Sequence, residues 1–304
     1  TFTPCDSDNT AVMIPGTPVV QSLHAAIRPV NNICPILHCL GIRFEFVYLF
    51  GVMLFQVSAQ IVELFEACRQ QSSDLYRKET CRAQLQKDIK TLYPDARLYL
   101  TGSTMSGLGC RSSDADLCLV VGLKVGIYKF LQVLLIRAKV PILRFKEKGS
   151  NLEFDLNVNN TVGIRNTFLL RSYTHVLKPC VLPSLQRDHP VSACFDPSLD
   201  LDMVPDASHR VPHYKSKNKS SLGDLFLGFL KYYAYKFRWD SKVISVRDAI
   251  TFAKVSPDWR GKFICVEEPF EMHNVARAVH EKAKFDAIKA RFDEVMCLIS
   301  YFLK

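Results

Sequence analysis

The sequence predicts an α+β fold in which a mixed β-sheet with helices is followed by a mainly helical region. The chain has 304 residues, which suits one large or two ordinary domains. Apolar residues at helical spacing follow Ser58, and four short strand-like segments lie between Arg97 and Val158. Helical spacing returns after Ser221. We therefore predict a lead-in over residues 1–56, a sheet-containing domain over 57–165 and a helical domain over 166–304.

The lead-in is predicted to be irregular, because prolines interrupt any periodicity. They are Pro4, Pro15, Pro18, Pro29 and Pro35. The apolar run Phe46–Phe55 that follows is shorter than the roughly 20 residues that cross a bilayer. It also lies too deep in the chain for a signal peptide. No membrane partner is expected.

In the sheet-containing domain, one helical stretch is predicted from Ser58 to Pro94, where the proline ends it. Its apolar face carries Ile61, Leu64, Phe65, Cys68, Cys81, Leu85 and Ile89. Strand-like composition then predicts four strands. They are Arg97–Thr101, Asp116–Val121, Ala138–Phe145 and Leu152–Val158.

In the helical domain, Ser221 and Asp224 predict a capped helix start. The apolar stripe of this helix is predicted to be core, and it consists of Leu222, Leu225, Phe226, Phe229, Tyr233 and Phe237. A final helix is predicted from Asn274 onward. Its packing seam consists of Phe285, Ile288, Phe292, Val295, Ile299 and Phe302.

Composition limits the class of protein. The net charge of +9 suits a polyanionic partner, although basic proteins without such a partner are equally common. The 11 cysteines are scattered without any C-x-x-C pattern. This spacing argues against a disulfide framework and against a structural zinc site. It predicts free thiols in a reducing compartment.

The residues that carry chemistry lie at the ends of predicted strands. Gly102 and Ser103 follow the first strand, and a glycine turn there lets backbone N–H groups approach phosphate oxygens. Asp114 and Asp116 begin the next strand, and residues two apart on a strand point to one face. Asp155 lies between apolar neighbours in the fourth strand. Each feature taken singly also fits an ordinary turn or strand edge.

If the strands that carry these carboxylates are neighbours, their charges converge and need divalent cations to neutralise them. Mg²⁺ is the expected cofactor, with Mn²⁺ as an alternative, because hard oxygen ligands and substrate phosphate suit it. The combination predicts a two-metal nucleotidyl transfer, in which a hydroxyl displaces pyrophosphate at an α-phosphate.

Longer motifs carry a family resemblance. The stretches "YLTGSTMSGLGCRSSDADLCLVV", "RAKVPILRFKEKGSNLEFDLNVNNTVGIRNTFLLRSY" and "SLGDLFLGFLKYYAYKFRW" resemble cytoplasmic poly(A) RNA polymerases of the germline-development type. Those enzymes are similar in fold to DNA polymerase β-like nucleotidyltransferases, with a mixed sheet and a mainly helical PAP-associated domain. The similarity covers most of residues 57–292.

The resemblance implies template-independent addition of AMP from ATP to the 3′ ends of mRNA. It implies that the metal ligands and catalytic residues are Asp114, Asp116 and Asp155, and that Asp155 takes the proton of the RNA 3′-OH. It also implies that Gly102 and Ser103 hold the triphosphate and that Asn160 and Thr167 contact the ribose. A 2′-OH contact at the ribose would select a ribonucleotide.

The segment Glu267–Val279 matches the family's nucleotide recognition motif, in which Asn274 and Arg277 organise the base end of the cleft. His273 precedes that asparagine, as it does in uridylating relatives. A terminal uridylyltransferase is therefore the first alternative. His273 as a loop residue without a functional role is the other interpretation.

Two family elements are missing from the sequence. Only "GLKVGIYKFLQVLL" stands where the family has a further helix before Arg137. At Leu182–Pro183 the chain skips the stretch that carries a lysine for the triphosphate and a Ser-Tyr pair for base stacking. A catalytically impaired relative that acts as a binding or scaffold protein is therefore the second alternative.

One basic and aromatic segment is predicted either to line an RNA path or to form an ordinary solvated helix face. It consists of Lys215, Lys217, Lys219, Lys231, Tyr232, Tyr233, Tyr235, Lys236, Arg238 and Trp239. No RNP-type, KH or zinc-knuckle pattern occurs, so an RNA-binding adaptor protein is an expected partner beside ATP and the RNA 3′ end. The expected location is the cytoplasm, with the nucleus as an alternative.

Overall fold

The structure is a computed structural model that describes residues 2–4, 42–122, 135–136, 141–147, 149, 151–176, 184–188, 196–211 and 218–302. Some predicted features lie outside these ranges. They are most of the lead-in, the segment 123–134 where the family helix is missing, the Leu182–Pro183 junction, and Lys215 and Lys217.

Two helices precede the sheet. Helix α1 spans Ile42–Cys68 and α2 spans Ser72–Leu92, so α2 ends before Pro94 as predicted. The prediction of one helical stretch is wrong at residues 69–71. There, Asp74 Oδ2 accepts a hydrogen bond from Gln71 N at 2.8 Å, which satisfies a free N–H group at the start of a new helix.

The start of α1 lies inside the predicted irregular lead-in, so that prediction is wrong from Ile42 onward. No proline follows Pro35 in this part of the chain, and the apolar run therefore continues one helix. By length and composition, Gly51–Cys68 is apolar enough to cross a membrane, and 6% of this stretch is buried. Length and composition alone do not establish a membrane span, and Ser58 in this stretch also accepts a hydrogen bond from Gly223 N.

The central sheet has six described strands: β1 (Phe2–Pro4), β2 (Arg97–Thr101), β3 (Ala115–Val120), β4 (Leu135–Ile136), β5 (Ile142–Glu147) and β6 (Glu153–Val158). Their order is β1-β5-β6-β3-β2, and β4 also pairs with β5. Strands β3 and β6 are parallel, whereas the other pairs are antiparallel. The predicted mixed sheet is confirmed. Strand β1 is a second correction to the lead-in, and Pro4 is tolerated because β1 is an edge strand.

Helices cover both faces of this sheet. One face packs against α2 through a buried cluster that includes Leu98, Leu100, Leu117, Leu119, Phe145 and Phe154, with Leu85 and Ile89 from the helix. The other face packs against α4, Thr161–Val176, through Cys118, Ile164 and Phe168. Because side chains alternate along β3, Asp116 shares the α4 face with Cys118.

The second half is less purely helical than predicted. Its α-helices after α4 are α5 (Leu185–Asp188), α6 (Val204–Ser208), α7 (Leu222–Lys231) and α8 (Lys282–Phe302). A three-stranded sheet stands between α7 and α8, with the order β8-β7-β9. Its strands are β7 (Lys242–Ser245), β8 (Ile250–Ala253) and β9 (Val266–Glu267). Strands of two to four residues are too short to show a period in the sequence, which explains why they were not predicted.

The capped start of α7 is confirmed. Ser221 Oγ accepts from Asp224 N at 3.1 Å, and Asp224 Oδ2 accepts from Ser221 N at 3.0 Å. The predicted core stripe is wrong for Phe226 and Phe229, whose exposed fractions are 45% and 52%. Helix α7 lies at the surface and is followed directly by a π-helical turn over Tyr232–Lys236.

The final helix begins at Lys282 and not at Asn274, which lies in a loop. Its predicted seam is confirmed where side chains are described. Phe285, Ile288, Phe292 and Val295 are half-buried among mostly exposed neighbours, and Met296 beside them is buried. The domain boundary predicted at residue 165 falls inside α4.

Candidate active site

Asp116 and Asp155 lie side by side in the centre of the sheet. They are register partners on the parallel strands β3 and β6. The strands that carry them are therefore neighbours, which was the condition for the carboxylates to converge. Asp114 lies two residues before Asp116. Burial, and then the charges of Asp114 and Asp155, raise the pKa of Asp116 to about 6. The three carboxylates form a centre of negative charge that favours a cation.

The Gly102 turn lies against Asp116. Gly102 begins the short helix α3, Gly102–Ser106, and has a φ of +66°, in the left-handed region that favours glycine. A Cβ atom at this position would collide with the Asp116 carboxylate. Ser103 follows in the first turn of α3 and is half-buried. A glycine is therefore required for the backbone to approach the carboxylate this closely.

Arg144 of β5 holds the carboxylate of Asp155. Its Nε donates to Oδ1 at 2.7 Å and its Nη2 donates to Oδ2 at 2.6 Å. In the described part of the chain, no group of three or more His, Cys, Asp or Glu side chains has an arrangement that could hold a metal ion. Asp114, Asp116 and Asp155 lie near one another without forming such an arrangement, because Asp155 faces a guanidinium group.

The donor chemistry of the carboxylates fits a divalent cation. Asp114 and Asp116 carry hard oxygen ligands, and a nearby cation would offset the burial, and then the repulsion, that raise the pKa of Asp116. Asp155 would join them after Arg144 releases at least one of its oxygens. The residues present therefore fit Mg²⁺, with an exchange of partner at Asp155.

Lys78 is a buried cation beside the site that the sequence did not reveal. Its side chain on α2 is 1% exposed, and its Nζ donates to Gln70 Oε1 at 3.0 Å and to Thr104 Oγ1 at 3.1 Å. It also lies 3.4 Å from the carbonyl oxygen of Asp114. Burial lowers the pKa of Lys78, whereas the Asp114 and Asp116 carboxylates counteract this shift. Lys78 therefore ties α2 to the turn and to the start of β3.

The two residues assigned to the ribose are Thr167 on α4 and Asn160 just before this helix. Thr167 is buried, and its Oγ1 accepts from Gly102 N at 2.9 Å and donates to the carbonyl of Gly163 at 2.7 Å. Asn160 precedes the helix, and its side-chain amide lies over Gly163. The observed contacts of Thr167 hold the Gly102 turn, and the ribose contact stays a prediction.

The predicted nucleotide recognition loop is held by two of its own side chains, Asn274 and Glu268. Asn274 is buried, its Nδ2 donates to Ile264 O at 2.9 Å, and its Oδ1 accepts from Ala276 N at 3.0 Å. These bonds make Asn274 a residue that shapes the loop. His273 is 30% exposed and lies 3.1 Å from Glu271 Oε2, and Arg277 is exposed.

Glu268 joins this loop to α4, a contact that no sequence pattern indicated. Its carboxylate is buried, and its Oε1 accepts from Asn166 Nδ2 at 2.7 Å. Its Oε2 accepts from Phe270 N at 2.9 Å and from Glu271 N. Because Asn166 precedes Thr167, α4 contacts both the recognition loop and the Gly102 turn.

The aromatic residues of the predicted RNA path divide into two groups. Tyr233 and Trp239 pack against each other, with ring centroids 5.4 Å apart, and both contact rings of α8. Tyr232 and Tyr235 have exposed fractions of 41% and 61%. Tyr233 and Trp239 therefore form packing contacts. Tyr232 and Tyr235 lie at the surface, where both predicted interpretations place them.

Two family models match the chain. Residues 221–274 match the model described as Cid1 family poly A polymerase. Residues 57–129 and 123–175 match the model described as the central palm domain of mitochondrial-like poly(A) RNA polymerase. The two parts of the second match overlap at residues 123–129, in the segment where a family helix is predicted to be missing.

Curated relatives with the same name match over most of the chain. Poly(A) RNA polymerase GLD2 from Danio rerio is 47% identical over 302 residues, which cover 79% of this chain and 61% of the relative. The GLD2 protein from Homo sapiens is 45% identical over 308 residues, which cover 78% and 63%. The chain spans about three fifths of the length of these relatives.

The lengths of these alignments bear on the missing stretch. The alignment with the Danio rerio relative is 302 positions long, but it includes only 79% of this 304-residue chain. About 60 of the aligned positions therefore have no residue of this chain. The relatives therefore carry residues, inside the aligned region, that this chain lacks.

Solved structures share the fold. The structure of the GLD-2/RNP-8 complex matches with a TM-score of 0.66 and 28% identity, over 79% of this chain and 93% of that chain. Cid1 in complex with the UTP analog UMPNPP matches with a TM-score of 0.64 and 25% identity, over 80% and 93%. The polymerase β-like fold predicted from the sequence is confirmed.

Proposed function

The chain belongs to the poly(A) RNA polymerase family of the GLD2 proteins, and from this premise we propose that it adds AMP from ATP to RNA 3′ ends without a template. The observation that carries the proposal is the pairing of Asp116 with Asp155 on adjacent parallel strands. The Gly102 turn lies directly against Asp116 of this pair. Carboxylates beside a backbone that can approach phosphate suit transfer at a nucleotide α-phosphate.

The residues would divide the chemistry between them. A divalent cation held by Asp114, Asp116 and Asp155 would supply positive charge for the triphosphate and for the attacking hydroxyl. The backbone at Gly102 and Ser103 would orient the phosphates. The RNA 3′ oxygen attacks the α-phosphorus, the bond to the bridging oxygen breaks, and pyrophosphate leaves. An Asp155 oxygen, once released by Arg144, would accept the proton of the 3′-OH.

Extension of a short oligo(A) primer tests this proposal. The purified chain with Mg²⁺ and ATP is expected to lengthen the primer. Asp114→Ala or Asp155→Ala is expected to lower the rate by about a thousandfold, because charge stabilisation at the reacting phosphate is lost. Asp258→Ala is the matched control, since Asp258 is an exposed aspartate in a loop after β8. It is expected to keep the wild-type rate.

The same assay decides between the alternatives. His273 and the similarity to Cid1 favour uridylyl transfer as the second candidate, and faster extension with UTP than with ATP would establish it. No extension with either nucleotide, from a folded chain in Mg²⁺ or Mn²⁺, would leave a scaffold protein that retains the fold. The residues missing at Leu182–Pro183 are the reason to include this outcome.

An adaptor protein is part of the proposal. The chain shows no sequence pattern of an RNA-binding module, and a similar chain has been solved in the GLD-2/RNP-8 complex. We expect weak binding to RNA alone and a cytoplasmic location in which free thiols persist. Co-purification from cell extract, with and without ribonuclease treatment, separates a protein adaptor from binding through RNA.

A further inference from the structure

Arg144 and Asp155 form a two-bonded ion pair at the centre of the proposed site. They are register partners across β5 and β6, and the guanidinium group donates one hydrogen bond to each carboxylate oxygen, at 2.7 and 2.6 Å. Such paired bonds between charged groups are stronger than neutral ones. A guanidinium group is protonated at any ordinary pH, so Arg144 brings a full positive charge to Asp155.

Burial of Asp155 requires a positive partner whenever no cation is bound to it. The side chain of Asp155 is 12% exposed, and it lies beside Asp116, which is also negative when ionised. A carboxylate taken out of water without a cation is strongly unfavourable. Arg144 on the neighbouring strand β5 is 39% exposed and supplies this positive charge.

A divalent cation and a guanidinium group compete for the same atoms. Mg²⁺ and Mn²⁺ bind carboxylate oxygens directly, and both oxygens of Asp155 already accept a hydrogen bond from Arg144. We infer that Arg144 is an internal counter-cation that a divalent cation displaces from at least one Asp155 oxygen, so that Arg144 sets the metal affinity of the site. This inference rests on the proposed function, because it takes Asp155 to be a metal ligand.

The neighbouring ion pair provides a matched control. Lys146 and Glu153 are also register partners on β5 and β6, with Lys146 Nζ 3.2 Å from Glu153 Oε1. Lys146 lies two residues from Arg144 on the same face of the same strand. Its partner Glu153 is 40% exposed and is not one of the proposed ligands. Removal of Lys146 therefore measures the effect of losing one nearby positive charge.

The experiment measures Mn²⁺ binding to the whole chain without nucleotide, by calorimetry or by the spin-resonance signal of free Mn²⁺. Arg144→Gln is expected to bind Mn²⁺ about tenfold more tightly than wild type, which corresponds to ~1.4 kcal/mol. Arg144→Lys keeps the charge but releases one oxygen, so an intermediate affinity is expected. Lys146→Gln is expected to stay within about twofold of wild type, because surface charge effects are small.

Thermal unfolding gives a second readout that does not depend on activity. Without metal, Arg144→Gln is expected to unfold at a lower temperature than wild type, because Asp155 is left buried without a partner. Added Mn²⁺ is expected to raise the midpoint of Arg144→Gln more than that of wild type, since tighter binding to the folded state stabilises it more. If Arg144→Gln does not fold without metal, Arg144→Lys carries the same comparison.

The possible outcomes separate this inference from the proposed function. Equal or weaker Mn²⁺ binding by Arg144→Gln, in a wild-type background that binds Mn²⁺, would overturn the inference and leave the proposed function standing. In that case Arg144 would only orient Asp155. If neither wild type nor Arg144→Gln binds Mn²⁺, the proposed metal ligands are wrong and the inference falls with them. Loss of the gain in the double variant with Asp155→Asn would support displacement at this carboxylate.

Discussion

Gly102 has a left-handed backbone conformation and lies against Asp116, a proposed metal ligand. Gly102→Ala is expected to lower kcat/KM for ATP by about a hundredfold, because the Asp116 carboxylate must move to admit a Cβ atom. Primer extension with varied ATP measures the loss. Gly261→Ala is the matched control, since Gly261 has a φ of +70° with nothing within 4 Å of an added Cβ. It is expected to cost about 1 kcal/mol of stability without loss of activity. Equal activity of the two variants would contradict the role of Gly102.

Lys78 is a buried charge whose removal takes a hydrogen-bond donor from Gln70 Oε1 and Thr104 Oγ1. Lys78→Met is expected to lower the free energy of unfolding by about 1–3 kcal/mol, because Thr104 and Gln70 lose a donor in a buried environment. Urea denaturation measures this change. Lys87→Met on the exposed face of the same helix α2 is the control and is expected to change stability little. Similar losses in both variants would show that Lys78 has no special role.

At the scale of elements, α1 and α7 cross closely at Gly223. Ser58 Oγ on α1 accepts from Gly223 N at 2.8 Å and donates to Leu54 O at 2.7 Å. The Ser58 hydroxyl thus satisfies a free N–H group in the first turn of α7. A Cβ atom at position 223 would collide with the carbonyl oxygen of Leu54. The closeness of this crossing depends on glycine.

Two glycines on α7 are therefore expected to respond in opposite directions to the same substitution. Gly223→Ala is expected to lower the free energy of unfolding by about 1–3 kcal/mol, because the helices must separate. Gly228→Ala is expected to raise it by about 0.5–1 kcal/mol, since an added Cβ meets nothing within 4 Å and alanine favours helix. Urea denaturation of both variants gives the comparison. Stabilisation by Gly223→Ala would mean that α1 does not pack against α7 as described.

At the scale of the whole molecule, the net charge of +9 bears on RNA binding. If about three phosphates are neutralised, affinity for oligo(A) is expected to fall about twentyfold between about 50 and about 200 mM salt, because bound counterions are released. Fluorescence anisotropy measures this dependence. An uncharged oligomer with the same bases is the control and is expected to show little change. A flat salt response with RNA would exclude phosphate contacts as the source of binding.

Short-range patterns in the sequence determined much of this molecule. The bounds of β2, the start of α7 at Ser221 and the end of α2 before Pro94 were all predicted, because alternation, capping and proline act over a few residues. The convergence of Asp116 and Asp155 was predicted only on the condition that their strands are neighbours, and the pairing of β3 with β6 meets that condition. Long stretches that match the family's motifs then indicated the family, and the matches to GLD2 relatives support it.

Tertiary structure alone decided which groups these residues meet. Arg144 reads as an ordinary strand residue, and only the β5–β6 register places it on Asp155. Lys78 reads as one of many helical lysines, and only the packing of α2 on the Gly102 turn buries it. Phe229 reads as core, yet α7 lies at the surface. These outcomes depend on contacts between distant segments, because burial and charge pairing are set by which elements pack together and not by neighbours in the chain.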